Sequence, residues 1–217
     1  MRDYVWPEIQ AMMLNDAHFR LVLTARELTG KFNGPTAKLL QDGYLTYQMV
    51  AIRRLFDKRT DVISLRRALM EAEKEKPNFG TEINKLLDSL KACDHVCTQV
   101  NKYVAHTAKQ DKSGKFVPWN IGMQHLDDSH QAICHAAITL DRDILQRANF
   151  VDIMPVPQYY YGEDLMLWVP EELRDKLNQA WHENRKRVNR MEVGRTIPRM
   201  LMLPALIKFN EDSQMPG

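Results

Sequence analysis

Asn101-Lys102-Tyr103-Val104-Ala105-His106-Thr107 sits in the second half of the longest stretch that reads as one helix. From Ile83 to Lys109 there is neither Gly nor Pro. Leu86, Leu90, Cys93, Cys97, Val100 and Val104 recur in steps of four, three, four, three and four, which is one face of a helix. At about 100° per residue, Lys102 lies roughly 200° round from Val100, and His106 the same from Val104. His95, Gln99, Lys102, His106 and Lys109 therefore form a polar stripe opposite the core stripe. A histidine there meets either solvent or another protein surface, and that choice governs what the chain does.

Outward from this helix, the rest of the chain also reads as helical. Pro7 is placed to start a first helix over Glu8 to Thr29, with Leu14, Leu21, Ala25 and Leu28 inward. Gly30 and Gly34-Pro35 break it. A second helix follows over Thr36 to Asp57, with Tyr44, Tyr47, Ala51 and Leu55 on one face and Leu45, Ile52 and Phe56 widening it. Gly43 inside it costs about 1 kcal/mol against Ala and suits close packing. Ser64 caps a short third helix that ends before Pro77, and Thr81 opens the long fourth. Asp111 to Pro118 is a loop. A fifth helix then places Leu126, Ser129, Ile133, Ala137, Leu140 and Ile144 on one face.

The character changes after Phe150. Pro155, Pro157 and Tyr159-Tyr160-Tyr161-Gly162 form an extended linker, and Asp164 to Val169 has the length of one short strand. Pro170 starts a sixth helix reaching Met191, with Leu173, Leu177, Trp181 and Val188 inward, and an apolar tail follows from Met200 to Ile207. The expected architecture is all-α: a five-helix body over 1–150, then a linker, basic helix and apolar tail over 151–217.

Composition narrows the function classes. A net charge of +2 on 217 residues produces no whole-molecule field toward nucleic acid or membrane, so any such contact needs a local patch. Three cysteines cannot all pair, which argues against a disulfide framework. No apolar run approaches the roughly 20 residues of a membrane span. Met1-Arg2-Asp3-Tyr4 lacks a signal-peptide core, so the expectation is a cytoplasmic chain in a reducing compartment.

Two short motifs, in order and on helices, resemble the HEPN superfamily (higher eukaryotes and prokaryotes nucleotide-binding). Its long helix ends in arginine, a polar spacer and histidine. The abortive-infection, AbiU-type branch reads Arg-Asp-Lys-x-x-Ala-His there, after an earlier helix ending Arg-Leu-x-Asp. This chain has Arg54-Leu55-Phe56-Asp57 closing its second helix and Asn101 to His106 in its fourth, a likeness covering residues 10 to 150. The resemblance implies a HEPN-like helical bundle, a homodimer, and an RNA-cleaving cleft that needs no metal or other cofactor. It implies His106 as proton carrier, Lys102 and Asn101 as phosphate partners, and Arg54, Asp57, Tyr103 and Thr107 in support. The departure is the arginine: Asn101 stands five before His106, longer spacers give Val100 and Gln99, and no arginine lies from Thr81 to Lys109. Lys102 brings charge without the guanidinium fork.

Other clusters have plainer readings. Arg53 and Asp57 are spaced for a local ion pair, while Arg54 is also placed to reach the His106 helix. Cys93, His95 and Cys97, and His130, Cys134 and His135, lack the spacing of structural zinc sites. Arg185, Lys186, Arg187, Arg190, Arg195 and Arg199 form the most basic stretch, suited to an RNA backbone or to a solvated helix end. Two functions follow. One is a metal-independent ribonuclease or RNA-binding protein of phage defence or toxin–antitoxin type, with RNA and an antitoxin or other protein as partners. The other is a catalytically inactive helical dimerisation module. The missing arginine favours the second and the basic stretch the first.

Overall fold

The computed structural model describes residues 2–31, 34–59, 61–104, 120–147 and 169–192. Among them the helices are α1 (Arg2–Thr29), α2 (Pro35–Phe56), α3 (Leu65–Glu75), α4 (Gly80–Ser89), α5 (Asp94–Gln99), α6 (Met123–Ile138) and α7 (Arg174–Glu192), and no strand is present. Single 3₁₀ turns occupy Pro77–Phe79, Leu90–Cys93 and Glu171–Leu173, and wider π turns occupy Val100–Val104 and Thr139–Ile144. His106, Thr107, the tyrosine linker, the strand expected over 164–169 except Val169, and Arg195 and Arg199 lie outside the described residues.

α1 is the hub. Val5, Trp6, Ile9, Met12, Met13, Ala17, Phe19, Leu21, Leu23 and Ala25 are all buried, so this helix is covered nearly all round. α2 runs antiparallel beside it: Tyr44 bonds Asp16, Gln48 bonds the Met12 carbonyl, and Arg54 pairs with Glu8. The helix begins before Pro7, against the expectation, because Val5 and Trp6 are core residues and their burial outweighs the one backbone donor that Pro7 lacks. Gly30 ends α1 at φ 65°, its N–H bonding the Arg26 carbonyl.

The remaining helices follow their local chemistry. Ser64 Oγ accepts from the Arg67 N–H at 3.1 Å and starts α3 as expected. α6 and the π turn that follows it bury Leu126, Ser129, Ile133, Ala137, Leu140 and Ile144, the face read from the sequence. Tyr47 departs from the expected α2 stripe: it is exposed, and Gly43 beside it has open space, not a closely packed neighbour.

α7, placed beyond a boundary near residue 150, packs on α1 and α6. Its Val188 and Met191 join the core of the body, and Leu177 packs with Leu21 and Ala25 of α1. An amphipathic helix needs a surface to bury its stripe, and the body supplies it.

Candidate functional site

The backbone from Gly80 to Val104 is helical throughout, but it changes pitch twice. A 3₁₀ turn has 3.0 residues per turn, so Leu90–Cys93 rotates everything after it by roughly 80° relative to an unbroken α-helix. That rotation explains which side chains enter the core. Cys93, Val96 and Val100 are buried, while Cys97 turns partly out. Gln99, expected on the polar stripe, is buried instead, and its Oε1 has no hydrogen-bond partner among the described residues.

The π turn then widens the helix over Val100–Val104. Asn101 is exposed and Lys102 is half-buried. Of the positions five to seven before His106, Val100 and Gln99 are in the core and only Asn101 reaches solvent. The backbone of Tyr103 belongs to this turn. His95, one turn earlier, bonds the Asn120 carbonyl at 2.7 Å, and its ring lies 4.4 Å from that of His125. His125 in turn accepts from the Gly122 N–H at 3.1 Å. Burial, with the His95 charge added, lowers the His125 pKa. These contacts fix the start of α6 against α5.

The Arg53–Arg54–Asp57 group divides. Arg54 pairs with Glu8 of α1 at 3.2 Å and lines a surface cleft with Tyr4, Arg59 and Ile63. Asp57 is taken by Arg59, at 3.4 Å through the side chain and 2.9 Å through the backbone N–H. The expected Arg53–Asp57 pair does not form, because the chain turns sharply after Phe56 and brings Arg59 back onto Asp57. Burial, with the Asp94 charge, pushes the Cys97 thiol of α5 up to about 12, against the charges of Arg53 and Lys58.

The basic helix also divides. Arg185 and Lys186 are exposed on the outer face of α7, Lys186 held by Glu183 at 2.7 Å, and Arg190 is half-buried. Arg187 is not on that surface. It is buried and bonded to Asp16 and, at 3.1 Å, to Asp127. Arg20 completes the arrangement, reaching Asp16 at 3.1 Å and Asp127 at 2.6 Å. Tyr44 donates to Asp16 at 2.5 Å, and His130 shares a 2.9 Å bond with Gln48. Burial opposes charge on Asp16, but Arg187 and Arg20 outweigh it and hold the carboxyl well below its ordinary range. Burial pushes His130 down to about 4.

Asp16, Asp127 and His130 bring three ligand-type atoms within 4.8 Å of one another, a convergence no sequence spacing suggested. The donor set does not fit a resident metal. Two guanidiniums already balance the two carboxylates, and a divalent ion would leave excess positive charge buried among Met12, Met49 and Ile133. One signal was present in the sequence for part of the network: Asp16 and Arg20 are one turn apart among the apolar residues of α1.

The family model AbiU2, of the HEPN group, matches residues 1–135. The chain belongs to the AbiU2 family. It thereby falls in the abortive-infection branch of the HEPN superfamily, and the helical bundle fits that membership. No curated protein and no solved structure matches the chain. The match contains Asp16, Arg20 and Asp127 of the buried network, whereas Arg187 and all of α7 lie beyond it. No helix among the described residues is long and apolar enough to cross a membrane.

Proposed function

We propose that this AbiU2-family chain cleaves RNA in phage defence, without metal, at the end of the widened helix that leads into His106. The observation that carries this reading is the exposure of Asn101 and the outward edge held by Lys102 while Gln99 and Val100 go into the core. Polar groups just before a histidine are thereby left free for a ligand. His106 takes the proton of a ribose 2′-hydroxyl or returns one to the leaving oxygen. Lys102 offsets the charge that grows on the phosphate, and Asn101 donates an amide N–H to it. The exposed Arg185 and Lys186 extend the backbone contact, and the reading carries a cytoplasmic location and an antitoxin or other protein partner with it.

The test is RNA cleavage by purified chain. Lys102→Ala is expected to reduce cleavage, Asn101→Arg to raise it by adding a bidentate phosphate partner, and a chelator to change nothing. Absence of cleavage by wild type and by Asn101→Arg alike, on structured and unstructured RNA, would sink the nuclease reading.

One observation favours a second reading, an inactive module that pairs with another copy of the chain. Leu39, Leu40 and Tyr47 form an exposed apolar stripe on α2 around the open Gly43. A two-fold contact through such a face would bury it. Light scattering on wild type and Leu40→Glu separates the two: loss of dimer with unchanged cleavage keeps the face and the chemistry apart.

A further inference from the structure

With no arginine from Thr81 to Lys109, a guanidinium at the Asn101 turn has to come from a neighbouring helix. α2 is packed along both α5 and the π turn. The two helices run antiparallel there. Lys58, just past α2, pairs with Asp94 at 3.5 Å, and the Arg53 charge acts on Cys97, one turn further along α5. Asn101 follows Cys97 by one turn and so shares its side of the helix.

Helical phase agrees. The buried residues of α2 from Tyr44 to Phe56 span an arc of roughly 160° that ends at Met49, and Arg53 lies roughly 40° beyond Met49, on the side away from Glu8 and α1. Arg54 is a further roughly 100° round, which is why it meets Glu8 of α1 and not α5.

Arg53 is half-buried, so part of its side chain meets solvent. The nearby acids are engaged elsewhere, Asp57 by Arg59 and Asp94 by Lys58. Among the described residues no carboxylate forms an ion pair with Arg53. α2 thus brings a half-buried guanidinium to the helix pair whose next turn carries the exposed Asn101 carboxamide, and the two acids nearby, Asp57 and Asp94, are each paired with another cation. The planar fork of the guanidinium suits two oxygens of a phosphate, and the amide N–H of Asn101 suits a third contact.

We propose that Arg53 and Asn101 together bind a phosphodiester of single-stranded RNA in the furrow between α2 and α5, with α2 supplying the guanidinium that α5 lacks. The identity of the ligand rests on the RNA reading above, so binding is tested apart from cleavage. The probe is a fluorescein-labelled single-stranded oligoribonucleotide, read by anisotropy against the full chain carrying His106→Ala, so that nothing is cut.

Arg53→Gln is expected to weaken binding about tenfold and to flatten the dependence of log K on log salt by about 0.7, one phosphate contact. Arg54→Gln, whose partner is Glu8, is expected to leave both values unchanged. Adding Asn101→Arg to Arg53→Gln is expected to restore the affinity, because the guanidinium then reaches the furrow from its other wall. A merely structural role for Arg53 gives no such rescue. Binding that persists with unchanged affinity and slope in Arg53→Gln overturns the inference and leaves the RNA reading standing. No RNA binding by the parent chain overturns both.

Discussion

Two groups of charges in this molecule behave in opposite ways. Between α1, α2, α6 and α7, Asp16, Asp127, Arg20 and Arg187 are buried, and each is bonded to a group of opposite charge. Where α2 packs on α5 and the π turn, Arg53 is half-buried and the polar Asn101 exposed, and the neighbouring acids Asp57 and Asp94 pair with other residues. Burial makes the first set obligatory: a charge taken out of water has to be matched, so removing one member strands another. Exposure makes the second set dispensable to the fold and available to a ligand. From charge spacing alone, Arg187 reads as an RNA contact and Arg53 as half of a local ion pair. In the folded chain Arg187 is the one held in buried ion pairs, and Arg53 forms none among the described residues.

The largest effect expected from this contrast is on stability. Asp16→Ala leaves two guanidiniums facing one carboxylate and is expected to cost about 3–5 kcal/mol in urea unfolding, as breaking a buried pair does. Arg53→Gln, an accessible residue without an ion pair among the described residues, is expected to stay within about 0.5 kcal/mol of wild type. Equal losses for the two would erase the distinction.

Acid sharpens it. The unfolded chain protonates His130 near its ordinary 6.5, whereas the folded chain does so only near 4, because the ring is buried. Between those values the unfolded state holds more protons, so stability is expected to fall by about 3 kcal/mol as pH drops from 6.5 to 4. Asp16, whose pKa is lowered in the folded state, adds a further loss below about pH 3.8. His130→Gln should flatten the loss between pH 6.5 and 4. An unchanged profile in that variant would assign the acid sensitivity elsewhere.

A smaller effect marks the local chemistry that needs no network. Ser64→Ala removes the acceptor for the Arg67 N–H and is expected to cost about 1 kcal/mol, with RNA binding unaffected.

Features set by neighbouring residues were legible in the sequence: the Ser64 cap, the break at Gly34-Pro35 before α2, the inward face of α6 and the inward Leu177 and Val188 of α7. So was the family, through Arg54-Leu55-Phe56-Asp57 and the turn before His106. What escaped was whatever depends on distant partners or on pitch. Gln99 reads as polar and outward at 3.6 residues per turn, and only the 3₁₀ turn at Leu90–Cys93 brings it inward. Arg187 sits in a run of basic residues and reads as solvated, until a carboxylate 171 positions earlier is seen beside it. The direction of Arg54 depended on Glu8, a residue of α1 with no sequence link to it.

Arg187 gives the most direct test of the division between the two groups. The measurement is the RNA affinity and salt slope of Arg187→Met, taken where unfolding curves show the variant folded. The expected result is a lowered unfolding midpoint with affinity within about twofold of wild type and the same slope, since this arginine lies in the core and touches no solvent-facing ligand. A weakened, less salt-dependent affinity with an unchanged midpoint would place Arg187 on the RNA surface and contradict the account.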